Sequence, residues 1–120
     1  MNIGIKPNES ILIAGGKGMV GSAIVRYLNN KVKKGFDSPI KIFSPNKQEL
    51  DFLDSNAVFK WFKKNKPNLV IIAAAKVGGI IANKNNPTRF LLDNLKIQNN
   101  IIEASFNFSV RRLIFLGSSC

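Results

Sequence analysis

The sequence of 120 residues has no histidine and a single cysteine, Cys120. Without these side chains, a zinc site or a Ser-His-Asp triad is excluded within these residues. One cysteine cannot form an internal disulfide, which is typical of a reducing compartment. No apolar run approaches the roughly 20 residues of a membrane-spanning helix, and the N-terminus lacks the apolar core of a signal peptide. These absences predict a cytoplasmic protein without a membrane partner.

Acidic residues are also scarce, with 7 Asp and Glu against 18 Lys and Arg and a formal net charge of +11. This balance favours anionic partners such as nucleotides or nucleic acid. The lysines are scattered, however, and mostly lie near predicted helix ends, where cations suit the helix dipole. No basic stripe is interleaved with aromatic residues, so we expect no specific nucleic-acid recognition. The length fits one domain or part of one, and is short for an enzyme that holds both a dinucleotide and a substrate.

The most informative stretch is residues 10–21, S-I-L-I-A-G-G-K-G-M-V-G. Its apolar run at residues 11–14 does not alternate, which predicts a parallel strand buried on both faces. Apolar and small residues then recur at helical spacing from a helix start near Gly18: Val20, Ala23, Ile24, Tyr27 and Leu28. The glycines therefore lie between a strand and a helix.

That context assigns a role to three of the glycines. Gly15 can adopt a backbone conformation closed to other residues, Gly18 leaves room for a ligand's phosphates, and Gly21 lets the helix pack close to the strand. The N–H groups and dipole at the helix N-terminus then form an anion site. A plain structural turn is the alternative, but the flanking strand and helix favour dinucleotide binding.

Strands and helices alternate along the rest of the chain. Further strands are predicted at residues 40–43, 69–73 and 113–116, and a loop is predicted at 31–39. One helix begins after a cap at Asp54 or Ser55 and ends at Lys66 and Pro67. Another helix is predicted at 88–107. The buried side of this last helix is expected to consist of Leu91, Leu95, Ile101, Ile102 and Phe106. The alternation predicts an α/β fold, a Rossmann-type doubly wound parallel sheet, incomplete at four strands in the order 3-2-1-4.

Cofactor choice depends on the end of the second strand, where a carboxylate would bind the ribose 2′-hydroxyl of NAD. Residues 44–47 are S-P-N-K and contain no carboxylate. Lys47, with Lys17 of the glycine turn, could neutralise the 2′-phosphate of NADP, or Lys47 could be an ordinary solvated lysine. In the later helix, Asn94 and Asn100 are expected to have a structural role rather than a cofactor contact.

With these elements placed, the chain resembles the extended short-chain dehydrogenase/reductase family of NAD-dependent epimerases and dehydratases, in particular members acting on GDP-linked 4-keto-6-deoxy sugars. The resemblance lies in G-G-K-G-M-V-G-S-A-I-V-R (15–26), E-L-D-F-L-D (49–54), A-A-A-K-V-G-G-I-I-A-N (73–83), N-N-I-I-E-A (99–104) and L-I-F-L-G-S-S-C (113–120).

The resemblance implies an NADP(H) site and no metal. Its pyrophosphate-binding positions are Gly15, Gly16, Lys17, Gly18, Met19, Val20 and Gly21. Lys47 stands where the family has an arginine on the 2′-phosphate. Asp51 and Phe52 match further cofactor-loop positions, although the family has an asparagine where this chain has Asp51. The remaining cofactor positions are Ala73, Ala74, Ala75, Leu116, Gly117, Ser118 and Ser119. Ser118 matches the catalytic serine, and Cys120 matches the cysteine used in epimerisation.

The same resemblance implies that residues 1–120 are the N-terminal NADP-binding Rossmann domain of a GDP-sugar epimerase/reductase, a homodimer at full length. The family's Tyr-x-x-x-Lys pair, its histidine and its substrate domain have no counterpart in these residues. Tyr27 and Lys31 have the right spacing but lie in the first helix, where Tyr27 is expected to pack in the core. The chain alone is therefore expected to be inactive. The alternatives are a non-catalytic NAD(P)-binding module and another nucleotide-sugar epimerase or dehydratase.

Overall fold

The structure, a computed structural model, describes residues 8–16, 18–33, 40–73 and 87–116. In these ranges the elements in chain order are β1 (Ser10–Ala14), α1 (Met19–Lys33), β2 (Lys41–Phe43), α2 (Ser55–Asn65), β3 (Leu69–Ile72), α3 (Pro87–Asn107) and β4 (Arg112–Phe115). The predicted strands and helices are confirmed to within a few residues. The loop predicted from residue 31 starts later, because α1 continues to Lys33. No helix in these ranges is long and apolar enough to span a membrane.

The four strands form one parallel sheet in the order β2-β1-β3-β4. The α/β class and the parallel sheet are confirmed, but the predicted strand order 3-2-1-4 is wrong. β3 pairs with β1, with Ile11 opposite Leu69 and Ala14 opposite Ile72. All four residues of β3 are buried, whereas the three residues of β2 are exposed or half-buried. β3 is more apolar than β2. It takes a central position in the sheet because only there are both faces and both edges of a strand covered.

Helices cover the two faces of the sheet. On one face, Leu28 of α1 packs in a cluster with Ile11 and Ile13 of β1. On the other face, Phe62 of α2 and Ile101 of α3 pack in a cluster with residues of β1 and β3. The helix that follows β1 and the helix that follows β3 therefore lie on opposite faces. The gap between the carboxyl ends of β1 and β3 is a topological switch point, where doubly wound sheets bind ligands.

The ends of α2 have the predicted capping residues. Asp54 Oδ1 accepts hydrogen bonds from the N–H groups of Asn56 and Ala57, each at 3.1 Å. Lys66 adopts a left-handed conformation with φ 45°, and its N–H donates to the Phe62 carbonyl. The caps satisfy backbone groups that a helix leaves unpaired at its ends, so α2 begins at a fixed point just after the 44–54 segment.

The expected buried side of α3 is wrong for four of its five residues. Ile101 is buried, but Leu91, Leu95, Ile102 and Phe106 are exposed, Phe106 by 84%. The helix carries apolar residues around much of its circumference, and helical spacing alone does not decide which stripe meets the sheet. Tyr27 is likewise exposed, by 45%, with the Lys31 ammonium 5.6 Å from its ring centroid, so its predicted core packing is also wrong.

Candidate functional site

The carboxyl ends of three strands lie side by side. Ala14 at the end of β1 pairs with Ile72 at the end of β3. The Ala73 N–H donates to the Ala14 carbonyl at 2.8 Å, and the Leu116 N–H donates to the Ile72 carbonyl at 3.1 Å. Two predicted cofactor residues, Ala73 and Leu116, therefore lie at the carboxyl ends of the strands, where the glycine turn begins.

The glycine turn has the predicted backbone geometry. Gly15 has φ 90°, and the Gly18 N–H donates to the Gly15 carbonyl at 3.0 Å. A Cβ on Gly21 would contact the Gly15 carbonyl oxygen and would lie 2.6 Å from the Gly15 carbonyl carbon. The roles predicted for Gly15, a positive φ, and for Gly21, close approach of α1 to β1, are both confirmed.

The surroundings of Gly18 fit an anion. A Cβ on Gly18 would meet one atom of the described residues within 4 Å, the Gly15 carbonyl oxygen at 3.5 Å, so the described residues leave the space beside it open. The neighbouring Met19 is 89% exposed, and the first turn of α1 contains no acidic residue. The N–H groups in the first turn of an α-helix have no helical acceptor and carry its positive dipole end. The site therefore fits the pyrophosphate of a dinucleotide.

The segment after β2 packs directly against the glycine turn. A Cβ on the buried Gly16 would lie 2.8 Å from the Cβ of Ser44. Three residues further on, Lys47 is exposed in a turn at residues 47–49. Lys47 thus lies on the loop that leaves β2 at the carboxyl edge of the sheet, the same edge as the glycine turn. Ser44 belongs to no sequence motif, so its contact with the glycine turn is seen only in the structure.

The 51–54 segment forms a second turn that α3 holds in place. Asp51 Oδ1 accepts from the Leu53 N–H at 3.0 Å. The Phe52 side chain is buried in the core, and the Asn100 side-chain amide donates to the Phe52 carbonyl at 2.8 Å. Any contact between Phe52 and a ligand would therefore involve the Phe52 backbone. The structural role predicted for Asn100 is confirmed, and its partner, 48 residues away in sequence, was not predictable from local pattern.

Several predicted site residues lie outside the described ranges. They are Lys17, Ala74, Ala75, Gly117, Ser118, Ser119 and Cys120. The roles of Ser118 and Cys120 stay predictions. Within the residues that the structure does describe, no group of three or more Cys, Asp or Glu side chains is placed to hold a metal ion.

Comparison with known proteins decides the family. Residues 11–120 match the NAD dependent epimerase/dehydratase family. The chain belongs to this family. The match includes the glycine turn, the segment after β2 and the ends of β3 and β4, so every part of the candidate site lies within it.

Individual proteins also resemble the chain closely. It is 46% identical to the GDP-L-fucose synthase of Sinorhizobium fredii over 93% of its own length. It is 42% identical to the Escherichia coli GDP-L-fucose synthase, also over 93%. A GDP-mannoheptose C4 reductase of Campylobacter jejuni, solved with NADP bound, superimposes with a TM-score of 0.82 at 39% identity, covering 95% of this chain and 34% of that one. The chain spans 33% of the length of the two curated relatives.

Proposed function

We propose that the chain binds NADP(H) across the carboxyl ends of β1 and β3. The space that the described residues leave open beside Gly18, at the N-terminus of α1, is the observation that carries this proposal. The pyrophosphate would accept hydrogen bonds from the first-turn N–H groups of α1. The small residue Ala73, at the end of β3, would leave room for the cofactor to lie against the backbone.

We further propose that Lys47 selects NADP over NAD. Residues 44–47, directly after β2, contain no carboxylate to bind the ribose 2′-hydroxyl, and the exposed Lys47 offers a positive charge instead. A charge-assisted hydrogen bond is worth about 1.5–3 kcal/mol, which corresponds to a preference of roughly 10- to 100-fold for the phosphorylated cofactor. A second lysine, Lys17, would add to the same contact.

The proposed reaction is the conversion of GDP-4-keto-6-deoxy-D-mannose to GDP-L-fucose, supported by 42% to 46% identity to GDP-L-fucose synthases. The C4 ketone acidifies the protons on C3 and C5, and the Cys120 thiol would exchange a proton at one of these carbons. The Ser118 hydroxyl would donate a hydrogen bond to the C4 carbonyl oxygen. Bound NADPH would supply the hydride that reduces C4.

These 120 residues would act as the N-terminal, cofactor-binding domain of such an enzyme. Because the chain spans 33% of its curated relatives, the substrate domain and the Tyr-x-x-x-Lys proton donor of the family would come from further residues. The chain by itself is then expected to bind NADPH without reducing the sugar. Turnover of GDP-4-keto-6-deoxy-D-mannose by the purified chain would contradict this division.

Calorimetric titration of the chain with NADPH and with NADH tests the cofactor proposal. The expected result is NADPH binding at least 10-fold tighter than NADH, with a difference that shrinks as salt screens the phosphate. Equal affinities would refute the role of Lys47. Absence of binding by both cofactors would refute the dinucleotide site itself.

A second candidate is C4 reduction without epimerisation, favoured by the 39% identity to a GDP-mannoheptose C4 reductase. The two reactions differ in whether carbon-bound protons exchange with solvent. In D2O, an epimerase incorporates deuterium at C3 or C5 of the substrate, whereas a simple reductase does not. The assay needs a longer form of the chain that includes a substrate domain.

A further inference from the structure

Two reciprocal hydrogen bonds close the turn that carries Lys47. The Glu49 N–H donates to Asn46 Oδ1 at 2.8 Å, and the Asn46 N–H donates to Glu49 Oε1 at 3.1 Å. The backbone N–H of Leu50 also donates to the Asn46 carbonyl, at 2.9 Å. This is the bonding pattern of a capping box, in which each side chain satisfies the backbone of the other residue. Lys47 lies between the two members of the pair.

The turn is anchored at both ends. On one side, Ser44 lies so close to Gly16 that a Cβ there would be 2.8 Å from the Ser44 Cβ. On the other side, Leu50 is 3% exposed and belongs to the core cluster under α2 and α3. Between these anchors Lys47 and Gln48 are exposed. The Asn46–Glu49 pair therefore sets the backbone conformation from which the Lys47 side chain extends.

From this geometry we infer that Glu49 is a positioning residue for Lys47 and thereby determines the preference for a 2′-phosphate. The inference rests on the proposed function of Lys47. A lysine side chain has high rotamer entropy, so an ammonium on a mobile backbone loses more freedom when it binds one phosphate. Opening the turn should weaken binding of the phosphorylated cofactor and leave the unphosphorylated one unaffected.

A purely electrostatic role of Glu49 predicts the opposite sign. Its carboxylate is a negative charge two residues from Lys47, so removal of that charge alone would strengthen phosphate binding. Glu49→Gln separates the two effects, because glutamine keeps the side-chain oxygen that accepts from Asn46 but carries no charge. Glu49→Ala removes both the oxygen and the charge.

The test is calorimetric measurement of NADPH and NADH dissociation constants for wild type and five variants: Lys47→Ala, Glu49→Ala, Glu49→Gln, Gln48→Ala as the matched control in the same turn, and the double variant of Lys47 and Glu49. We expect Glu49→Ala to weaken NADPH binding more than three-fold while NADH binding changes less than two-fold. Gln48→Ala should stay within two-fold of wild type for both cofactors. Glu49→Gln keeps the hydrogen bond and loses the charge, so it should bind NADPH as tightly as wild type or more tightly. In the Lys47→Ala background, Glu49→Ala should have no further effect, because its action passes through Lys47.

Several results would overturn the inference. Glu49→Ala could change NADPH affinity by three-fold or less, or weaken both cofactors equally, which would indicate a general structural role. Additive effects of Glu49→Ala and Lys47→Ala would show that Glu49 acts independently of Lys47. If Lys47→Ala itself leaves NADPH affinity unchanged, the proposed function of Lys47 fails first, and this is distinguishable from failure of Glu49 alone.

Discussion

Gly18→Ala should weaken cofactor binding without lowering stability, whereas Gly21→Ala should lower stability, although the two glycines belong to the same turn. A Cβ on Gly21 would contact the Gly15 carbonyl oxygen, 2.6 Å from the attached carbon and 3.0 Å from Gly16 Cα. A Cβ on Gly18 would meet the Gly15 oxygen at 3.5 Å, an ordinary contact. Gly18 also has no positive φ, so alanine fits its backbone.

The contact distances set the magnitudes. Carbon atoms pack best at about 3.5–4.0 Å, so Gly21→Ala forces α1 to move by about 1 Å from the end of β1. Overpacking of this kind lowers the free energy of unfolding by about 1–3 kcal/mol. Gly18→Ala should leave that free energy unchanged or raise it by up to about 1 kcal/mol. Its methyl group would instead occupy the space proposed for the pyrophosphate, and loss of one charge-assisted N–H contact corresponds to roughly 10- to 100-fold weaker NADPH binding.

Urea unfolding and calorimetric NADPH titration of both variants check this reasoning. We expect Gly18→Ala to retain wild-type stability with weakened binding, and Gly21→Ala to lose stability. If Gly18→Ala binds NADPH as tightly as wild type, the anion site is not beside Gly18. If Gly18→Ala is destabilised as much as Gly21→Ala, a methyl group does not fit beside Gly18 and the reasoning from the contact distances is wrong.

Three further experiments test other parts of the molecule. Asn100→Ala should lower the free energy of unfolding by about 1–3 kcal/mol, since the part-buried Phe52 carbonyl loses its donor; an unchanged urea midpoint would contradict this. Asp54→Ala should lower it by about 0.5–2 kcal/mol through loss of the α2 cap, whereas Asp54→Ser should restore most of it. In a longer, catalytically competent form, Cys120→Ala should slow deuterium incorporation at C3 or C5 by about 100-fold or more, while Ser118→Ala slows C4 reduction more than exchange; equal losses in both variants would refute the division of roles.

Much of the site geometry was predictable because it depends on local covalent and steric limits. The positive φ of Gly15 and the close approach at Gly21 follow from a strand, a tight turn and a helix joined within a few residues. The Asp54 cap likewise follows from residues one to three positions away. The Asn46–Glu49 pair has the spacing of a capping box, which is visible in the sequence, but the spacing alone does not place the pair beside the site.

The contacts between distant segments were not predictable in this way. Nothing near Gly16 in the sequence indicates that Ser44 packs against it, and nothing near Asn100 indicates the Phe52 carbonyl as its partner. Both contacts depend on where whole strands and helices come to lie. These positions result from the summed burial of many side chains, which no single motif encodes.

The α/β class, the bounds of most strands and helices, and the glycine turn between β1 and α1 can be read from the sequence, because each depends on hydrophobic periodicity or backbone sterics over a short stretch. The position of β3 beside β1, and the packing of Ile101 rather than Leu95 or Phe106 against the sheet, follow only from the tertiary structure. An apolar strand can pair with several neighbours, and an apolar helix can present several faces. The choice among them is made by the packing of the assembled core, which in turn places the switch point and its candidate site between β1 and β3.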